Sequence, residues 1–302
     1  MRTALAALLP FAAWSAAASA QAEEVAEAQW NGLTVSAQGY GKEAALLFTR
    51  SGRVVHSERD ETAHRWFVAE PRDLDGDGRA DLHAWFWSGG AHCCITHIVF
   101  PATMGDRPKQ PAKAWRLKQG DGDPSGFEQL EGYPRPLMRT IDSSSAYLAG
   151  AFTETAFFPY VVEIGPAGFQ LAEPLMRASR RGEGPDALRD GPAAWRTFLL
   201  TSRFGGPSEL ADLPTPAERT AEIRRLIAAR TAGHDARTGR YLPLVERHIK
   251  AHCVYDAACD IRALARELEG DRRGVLSDYV RELERSWKSA PVRLLKDKRQ
   301  PG

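Results

Sequence analysis

The hydrophobic residues of this chain follow two different periods. Between residues 33 and 171 they occur in short runs rich in β-branched and aromatic side chains, and clusters of glycine, proline and aspartate separate the runs. This pattern is typical of the strands of an antiparallel β domain. The clearest runs are 33–35, 46–48, 66–68, 95–100 and 160–162. In 82–87, apolar or aromatic side chains occupy both faces, so we expect this strand to lie centrally in its sheet.

After about residue 178 the apolar residues recur at helical spacing instead. Thr215 is a candidate N-cap, Pro216 suits the first helical position, and Glu218 follows as the third. The chain is therefore predicted to be α+β, with an N-terminal antiparallel β domain and then a C-terminal α-helical bundle of four or five helices. The segments with helical spacing are 223–227, 242–249, 261–268 and 276–287.

The first residues have the three parts of a secretory signal. Arg2 gives a positive start, 4–14 is apolar, and 18–22 offers small residues for cleavage. This leader predicts a periplasmic or secreted protein. The predicted division of the chain is a signal peptide at 1–22, a calcium-loop β domain at 23–178, an α-helical domain at 185–290 and a basic tail at 291–302.

Composition places the 302-residue chain among globular proteins, with 43% hydrophobic and 26% charged residues. A net charge of +1 argues against nucleic-acid binding through a general basic surface. The charge is nevertheless divided, because residues 23–180 carry 16 basic and 21 acidic side chains while 181–302 carry 23 and 18. The two halves either dock on each other, or the acidic half holds cations and the basic half touches an anionic partner. After the leader, no apolar run approaches the roughly 20 residues that span a bilayer.

The segment 73–81, DLDGDGRAD, is the most specific chemical feature of the sequence. Its four carboxylates alternate and would repel one another unless a cation neutralised them. A hard dication such as Ca²⁺ takes about six to eight oxygens. Gly78 permits a sharp turn. Ala84 occupies the position at which an EF-hand has its bidentate glutamate, so we expect a calcium loop on a β scaffold and not an EF-hand. The predicted ligands are Asp73, Asp75, Asp77, the backbone carbonyl of Arg79, and Asp81.

The loop Asp-x-Asp-Gly-Asp-Gly-x-x-Asp-Leu, running into a strand, resembles the calcium loops of FG-GAP/VCBS-type repeats in β-propeller and adhesion proteins. Its continuation at 87–94 resembles a group of uncharacterised bacterial exported proteins in which such a loop precedes Ser-Gly-Gly-Ala-His-Cys-Cys. The resemblance covers about residues 67–100 and implies structural Ca²⁺ in a propeller-blade-like unit or a small β-sandwich. It implies no activity. A full propeller needs at least about four blades, for which the β half is too short.

The four cysteines of an exported chain favour disulfides. We favour a bond between Cys253 and Cys259, because six residues between two helical segments can be closed locally. The adjacent Cys93 and Cys94 would then form a strained pair, either structural or redox-active.

The segment 92–97 also contains donors that suit copper or zinc. His92, Cys93, Cys94 and His97 are therefore candidates for a second metal or redox site. Neighbouring residues of a strand point to opposite faces, however, which makes it difficult for one metal to collect both thiolates.

No nucleophile elbow, phosphate loop, zinc-protease helix or dinucleotide fingerprint occurs, and no catalytic residue is predicted. The main hypothesis is an exported calcium-binding protein with a non-enzymatic binding or interaction role, whose partner is an envelope component or a protein. One alternative is a cell-envelope hydrolase of polysaccharide or peptidoglycan with its site between the domains, using acids such as Glu128, Glu131 and Asp142. The other is a periplasmic copper or redox protein that uses 92–97.

Overall fold

Three antiparallel sheets followed by α-helices make up the described part of the chain, which confirms the predicted α+β class. The computed structural model describes residues 24–90, 94–104, 114–119, 126–130, 132–148, 158–180, 216–231, 241–255 and 259–297. The strands are β1 Glu24–Val25, β2 Glu27–Trp30, β3 Leu33–Gln38, β4 Ala45–Arg50, β5 Arg53–Glu58, β6 Arg65–Ala69, β7 Leu82–Trp87, β8 Ile95–Phe100, β9 Trp115–Gln119, β10 Met138–Asp142, β11 Phe158–Gly165 and β12 Gly168–Leu171.

The first two sheets pack together through a common apolar core, as in a small β-sandwich. Strands β2 to β5 form one sheet in sequence order, and the second sheet has the order β1-β6-β7-β8-β9. Strand β7 is the central strand of the second sheet, as its two-sided apolar pattern predicted. Trp30 and Phe48 from the first sheet meet Phe100 from the second, with ring centroids 6.4 and 5.2 Å from that of Phe100.

The other face of the second sheet is buried as well. Val99 of β8 and Leu117 of β9 belong to a second hydrophobic cluster, which also contains residues of the third sheet, β10-β11-β12, and of the helices. The third sheet and the helices therefore share one core. Residues 181–215, which include most of the predicted boundary at 178–185, lie outside the described residues. The division into two domains therefore stays a prediction.

Six α-helices are described, and the second begins at Pro216, where the sequence predicts the first helical residue. The fourth is capped by Asp260, whose side chain accepts a hydrogen bond from the backbone N–H of Ala263 at 2.9 Å. Within the described ranges, none of these helices is long and apolar enough to cross a bilayer. The helices are α1 Glu173–Arg180, α2 Pro216–Thr231, α3 Tyr241–Tyr255, α4 Ile261–Glu269, α5 Ser277–Lys288 and α6 Pro291–Lys296.

Helix α6 differs from the sequence-based expectation. The sequence predicts a solvated basic tail from residue 291, but Pro291–Lys296 is helical. Its Val292 and Leu295 are buried in the second hydrophobic cluster. Pro291 suits the first turn of a helix, and two apolar side chains three residues apart fall on one face, while Arg293 and Lys296 stay partly exposed.

Candidate metal site

The aspartate-rich loop connects β6 to the central strand β7. The backbones of Arg72 and Asp81 close it with two hydrogen bonds, from Arg72 N to Asp81 O at 3.1 Å and from Asp81 N to Arg72 O at 2.8 Å. Leu74 is fully buried and anchors the loop to the core. Gly76 and Gly78 have φ values of 83° and 84°, a region that glycine adopts without strain. The loop is therefore a compact turn fixed at both ends.

The aspartate side chains hold the turn in shape by accepting hydrogen bonds from its backbone. This pattern orients the carboxylates of the turn toward its own backbone. The bonds run from Gly76 N to Asp73 Oδ1 at 2.7 Å, from Gly78 N to Asp73 Oδ2 at 2.8 Å, from Asp77 N to Asp75 Oδ1 at 3.0 Å, and from Arg79 N to Asp77 Oδ1 at 2.8 Å.

Asp81 is the buried member of the group, with 1% of its surface exposed. Its Oδ1 accepts the backbone N–H of Ala102 at 2.8 Å, and its Oδ2 accepts that of Leu74 at 3.1 Å. Burial raises the pKa of Asp81 to about 6, although these two N–H groups oppose the rise; repulsion from Asp75 and Asp77 adds to it. A buried carboxylate in this setting gains from a nearby cation.

Three of the four predicted aspartate ligands come together. One carboxylate oxygen from each of Asp73, Asp75 and Asp81 lies within 4.8 Å of the others. Two oxygens bound to the same Ca²⁺ at about 2.3–2.6 Å lie at most roughly 5 Å apart, so the spacing suits one shared ion. Asp77 is not part of this group. Burial, and repulsion from Asp77 and Asp73, raise the pKa of Asp75, while Arg135 acts in the opposite direction.

The loop also joins the first two sheets at one end of the sandwich. Trp30 donates its indole N–H to the carbonyl of Ala80 at 2.7 Å. The carbonyl of Ala102, after β8, accepts hydrogen bonds from the side chains of Asn31 at 2.8 Å and Arg79 at 3.3 Å. The shape of the loop is therefore coupled to the packing of both sheets.

The predicted second metal or redox site is only partly described. His92 and Cys93 lie outside the described residues. Cys94 is disulfide-bonded, and its backbone N–H donates to Ser88 Oγ at 3.0 Å. His97 is fully buried. Among the described residues, Cys94 and His97 are not brought into a common group of metal-ligand atoms.

His97 belongs instead to a buried hydrogen-bonded row that crosses three neighbouring strands of the second sheet, β7, β8 and β9. Its Nε2 lies 2.8 Å from Gln119 Oε1, and its Nδ1 lies 3.1 Å from His83 Nε2. Because the Gln119 oxygen only accepts, we assign the His97 proton to Nε2, and His83 then donates to Nδ1. Burial lowers the pKa of both rings, that of His97 to about 4. Both histidines are therefore neutral at pH 7.

The structure brings Cys253 and Cys259 together in a disulfide that joins α3 to the residues before α4, with Cα atoms 4.5 Å apart. Cys253 is buried and Cys259 is exposed.

A buried charged cluster, which the sequence analysis does not identify, links the third sheet to the helices. Lys250 Nζ lies 2.9 Å from Asp142 Oδ2 and 3.0 Å from Glu246 Oε1, and it donates to Ser145 Oγ at 2.6 Å. Ser145 Oγ also donates to Glu246, and Tyr279 OH donates to Glu246 Oε2 at 3.0 Å. Burial opposes the charge on Lys250, but the two carboxylates outweigh it and raise its pKa. Lys250 is therefore a charged ammonium and cannot accept a proton from Ser145.

This cluster contains Asp142, one of the acids considered for a hydrolase. Asp142 is fully buried and faces Lys250, so it does not open onto a cleft. Glu128 is paired with Arg139 at 2.7 Å, and Glu131 lies outside the described residues. The sequence contains one hint of the cluster, because Glu246 and Lys250 are four residues apart on α3 and so share a helix face.

Comparison of the chain with known family models, with curated proteins and with solved structures found no significant match.

Proposed function

We propose that this protein is an exported, calcium-binding protein with a non-enzymatic binding or interaction role, in which Ca²⁺ is structural. The observation that carries the proposal is the convergence of Asp73, Asp75 and Asp81 within 4.8 Å of one another. The resemblance of the same loop to FG-GAP/VCBS-type calcium loops is consistent with it.

The chemistry of the site favours calcium among the common dications. All candidate ligand atoms are oxygens, which suit hard cations and not the softer metals that prefer nitrogen or sulfur. The ligands come from an irregular turn, and Ca²⁺ accepts flexible geometry, whereas Mg²⁺ demands a near-ideal octahedron and keeps several waters. Asp77 and the carbonyl of Arg79 lie in the same turn and can complete the shell after a local adjustment, with water in the remaining positions.

The position of the site favours a structural role for the ion. Asp81 is buried, and both its oxygens already hold backbone N–H groups of the loop and of the end of β8. An ion on this carboxylate would neutralise its charge and fix the junction at which β7 begins. A buried carboxylate ligand whose oxygens also accept backbone hydrogen bonds leaves little room for a substrate at the ion.

Thermal unfolding of the mature chain in excess Ca²⁺ and in excess EGTA tests the proposal. An ion that binds only the folded state stabilises it by about 2.7 kcal/mol at a concentration 100 times Kd. For a protein of this size we expect the melting temperature to rise by roughly 4–5 °C. The double variant Asp73→Asn with Asp75→Asn should lose this rise, and Asp271→Asn, an exposed aspartate between α4 and α5, should keep it.

An unchanged melting temperature of the wild type in Ca²⁺ would remove the basis of the proposal. The non-enzymatic part is tested separately, by incubating the calcium-loaded chain with peptidoglycan or polysaccharide and analysing the products. Release of soluble fragments would favour the hydrolase alternative.

A further inference from the structure

A cleft of about 410 Å³ opens between helices α4 and α5, on the side of the molecule formed by the helical segment. Its rim is strongly basic, and Glu269 is the only acidic side chain among the described residues that line it. The buried Ala265 and Val280 supply apolar surface. The four basic residues of the lining are Arg262, Arg266, Arg273 and Arg281.

Two of these arginines make no ion pair with any residue in the described part of the chain. Arg262 is paired with Glu284 at 2.9 Å, and Arg281 with Asp278 at 2.6 Å. The side chains of Arg266 and Arg273 have no ion-pair or hydrogen-bond partner among the described residues. Two exposed guanidinium groups thus face one small cleft, each with its full set of donors available.

Glu269 forms no ion pair with Arg266 or Arg273 among the described residues, because its carboxylate is turned toward the backbone. Its Oε1 accepts the backbone N–H of Leu276 at 2.6 Å, and its Oε2 accepts that of Gly274 at 3.1 Å. These bonds turn the carboxylate toward the backbone that leads into α5. Glu269 therefore shapes the wall of the cleft and leaves its rim basic.

The beginning of α5 lies on the same side of the cleft, where the Glu269 carboxylate already accepts the N–H of Leu276 and the arginines supply the net positive charge. The twelve-residue helix starts at Ser277, which lines the cleft, and its N-cap residue Leu276 has no side chain that could cap it. The first turn of a helix presents backbone N–H groups and the positive end of the helix dipole, both of which favour anions. Asp278 in this turn is paired with Arg281, which limits its opposition to an incoming anion.

We propose that this cleft binds a phosphate monoester, with the phosphate group on Arg266 and Arg273 and the organic part against Ala265 and Val280. A phosphate monoester carries about −1.5 to −2 charge at pH 7 and three acceptor oxygens, which the planar forks of two arginines match. The volume accommodates a phosphate with a small organic group and is at the lower end of ordinary ligand sites. The site is separate from the aspartate loop and does not depend on the calcium proposal.

Calorimetric titration of the full mature chain with glycerol phosphate and with inorganic phosphate tests the inference. We expect binding of both probes, tighter for the ester because its organic part contacts the apolar wall, and weaker binding at higher salt. The double variant Arg266→Gln with Arg273→Gln should weaken the binding at least about tenfold. Arg285→Gln is the matched control, because Arg285 is an exposed arginine of α5 that does not line the cleft.

Binding to lipid vesicles distinguishes two possible sources of the phosphate group, a lipid headgroup and a soluble ester. Sedimentation with vesicles that contain phosphatidic acid, compared with vesicles of neutral lipid, shows whether the phosphate is read on a lipid headgroup or on a soluble ester. Binding of any phosphate-bearing probe that the double variant loses and Arg285→Gln retains supports the inference. Absence of binding to all probes, or equal loss in the control, overturns it. Melting curves of the variants establish that they are folded.

Discussion

Asp81 and Ala102 are joined by a hydrogen bond of 2.8 Å, from the backbone N–H of Ala102 to Oδ1 of the aspartate. The two residues are 21 positions apart, one at the entry to β7 and the other directly after β8. The other oxygen of Asp81 holds the loop itself through the N–H of Leu74. One buried carboxylate therefore fixes the loop and couples it to the neighbouring strand, so the loop and the sheet are expected to lose stability together.

Asp81→Ala is expected to lower the free energy of unfolding by about 2–5 kcal/mol, measured by urea denaturation in EGTA. The substitution leaves two backbone N–H groups without their acceptor, and a buried donor without a partner costs about 1–3 kcal/mol. Asp81→Asn keeps one amide oxygen as an acceptor and should show an intermediate loss. The exposed Asp271→Ala serves as the control; a loss in Asp81→Ala no larger than in this control would contradict the role given to Asp81.

Lys250→Met is expected to destabilise the protein by about 3–5 kcal/mol, because it leaves Asp142 and Glu246 as buried carboxylates without a cation. Equilibrium urea denaturation of the variant gives the value. Combining it with Asp142→Asn and Glu246→Gln removes both uncompensated charges and should recover part of the loss. Additive losses in the combined variant would show that the three side chains do not act as one cluster.

Stability should fall on acidification because His97 is buried in its neutral form. The unfolded ring has a pKa of about 6.5, and the folded ring has one of about 4. The unfolded state therefore binds the proton first, so the contribution of His97 is fully present above pH 6.5 and is lost progressively as the pH falls toward 4. This linkage amounts to something on the order of 3 kcal/mol.

Urea denaturation of the wild type and of His97→Gln between pH 7.5 and about 4.5 measures this effect, since the glutamine variant lacks the titrating ring. The stability difference between the two proteins should shrink as the pH falls. A difference that stays constant over this range would place the His97 ring in contact with water and not in the buried row with Gln119.

The sequence pattern predicted those features that depend on local chemistry. The two-sided apolar pattern of 82–87 identified β7 as the central strand, and Pro216 marked the first residue of α2. Helix α6 was not predicted, because its two buried side chains stand between basic residues and its length of 6 residues carries little periodicity.

The candidate site was predictable only in part for a related reason. Alternating aspartates indicated a shared cation, but the turns at Gly76 and Gly78 decide which carboxylates converge, and Asp77 falls outside the group. The charged cluster depends on contacts between residues about a hundred positions apart, such as Ser145 and Lys250. Sequence spacing does not show that such residues meet, because their contact depends on how the helices pack on the sheet.

Isothermal titration of the metal-free chain with Ca²⁺ tests the central proposal most directly. We expect one ion per chain, weakened at least about tenfold in the Asp73→Asn and Asp75→Asn double variant and unchanged in Asp271→Asn. Absence of Ca²⁺ binding to the wild type, or binding that the double variant retains in full, would contradict the account and leave the aspartates as acceptors for the backbone of their own turn.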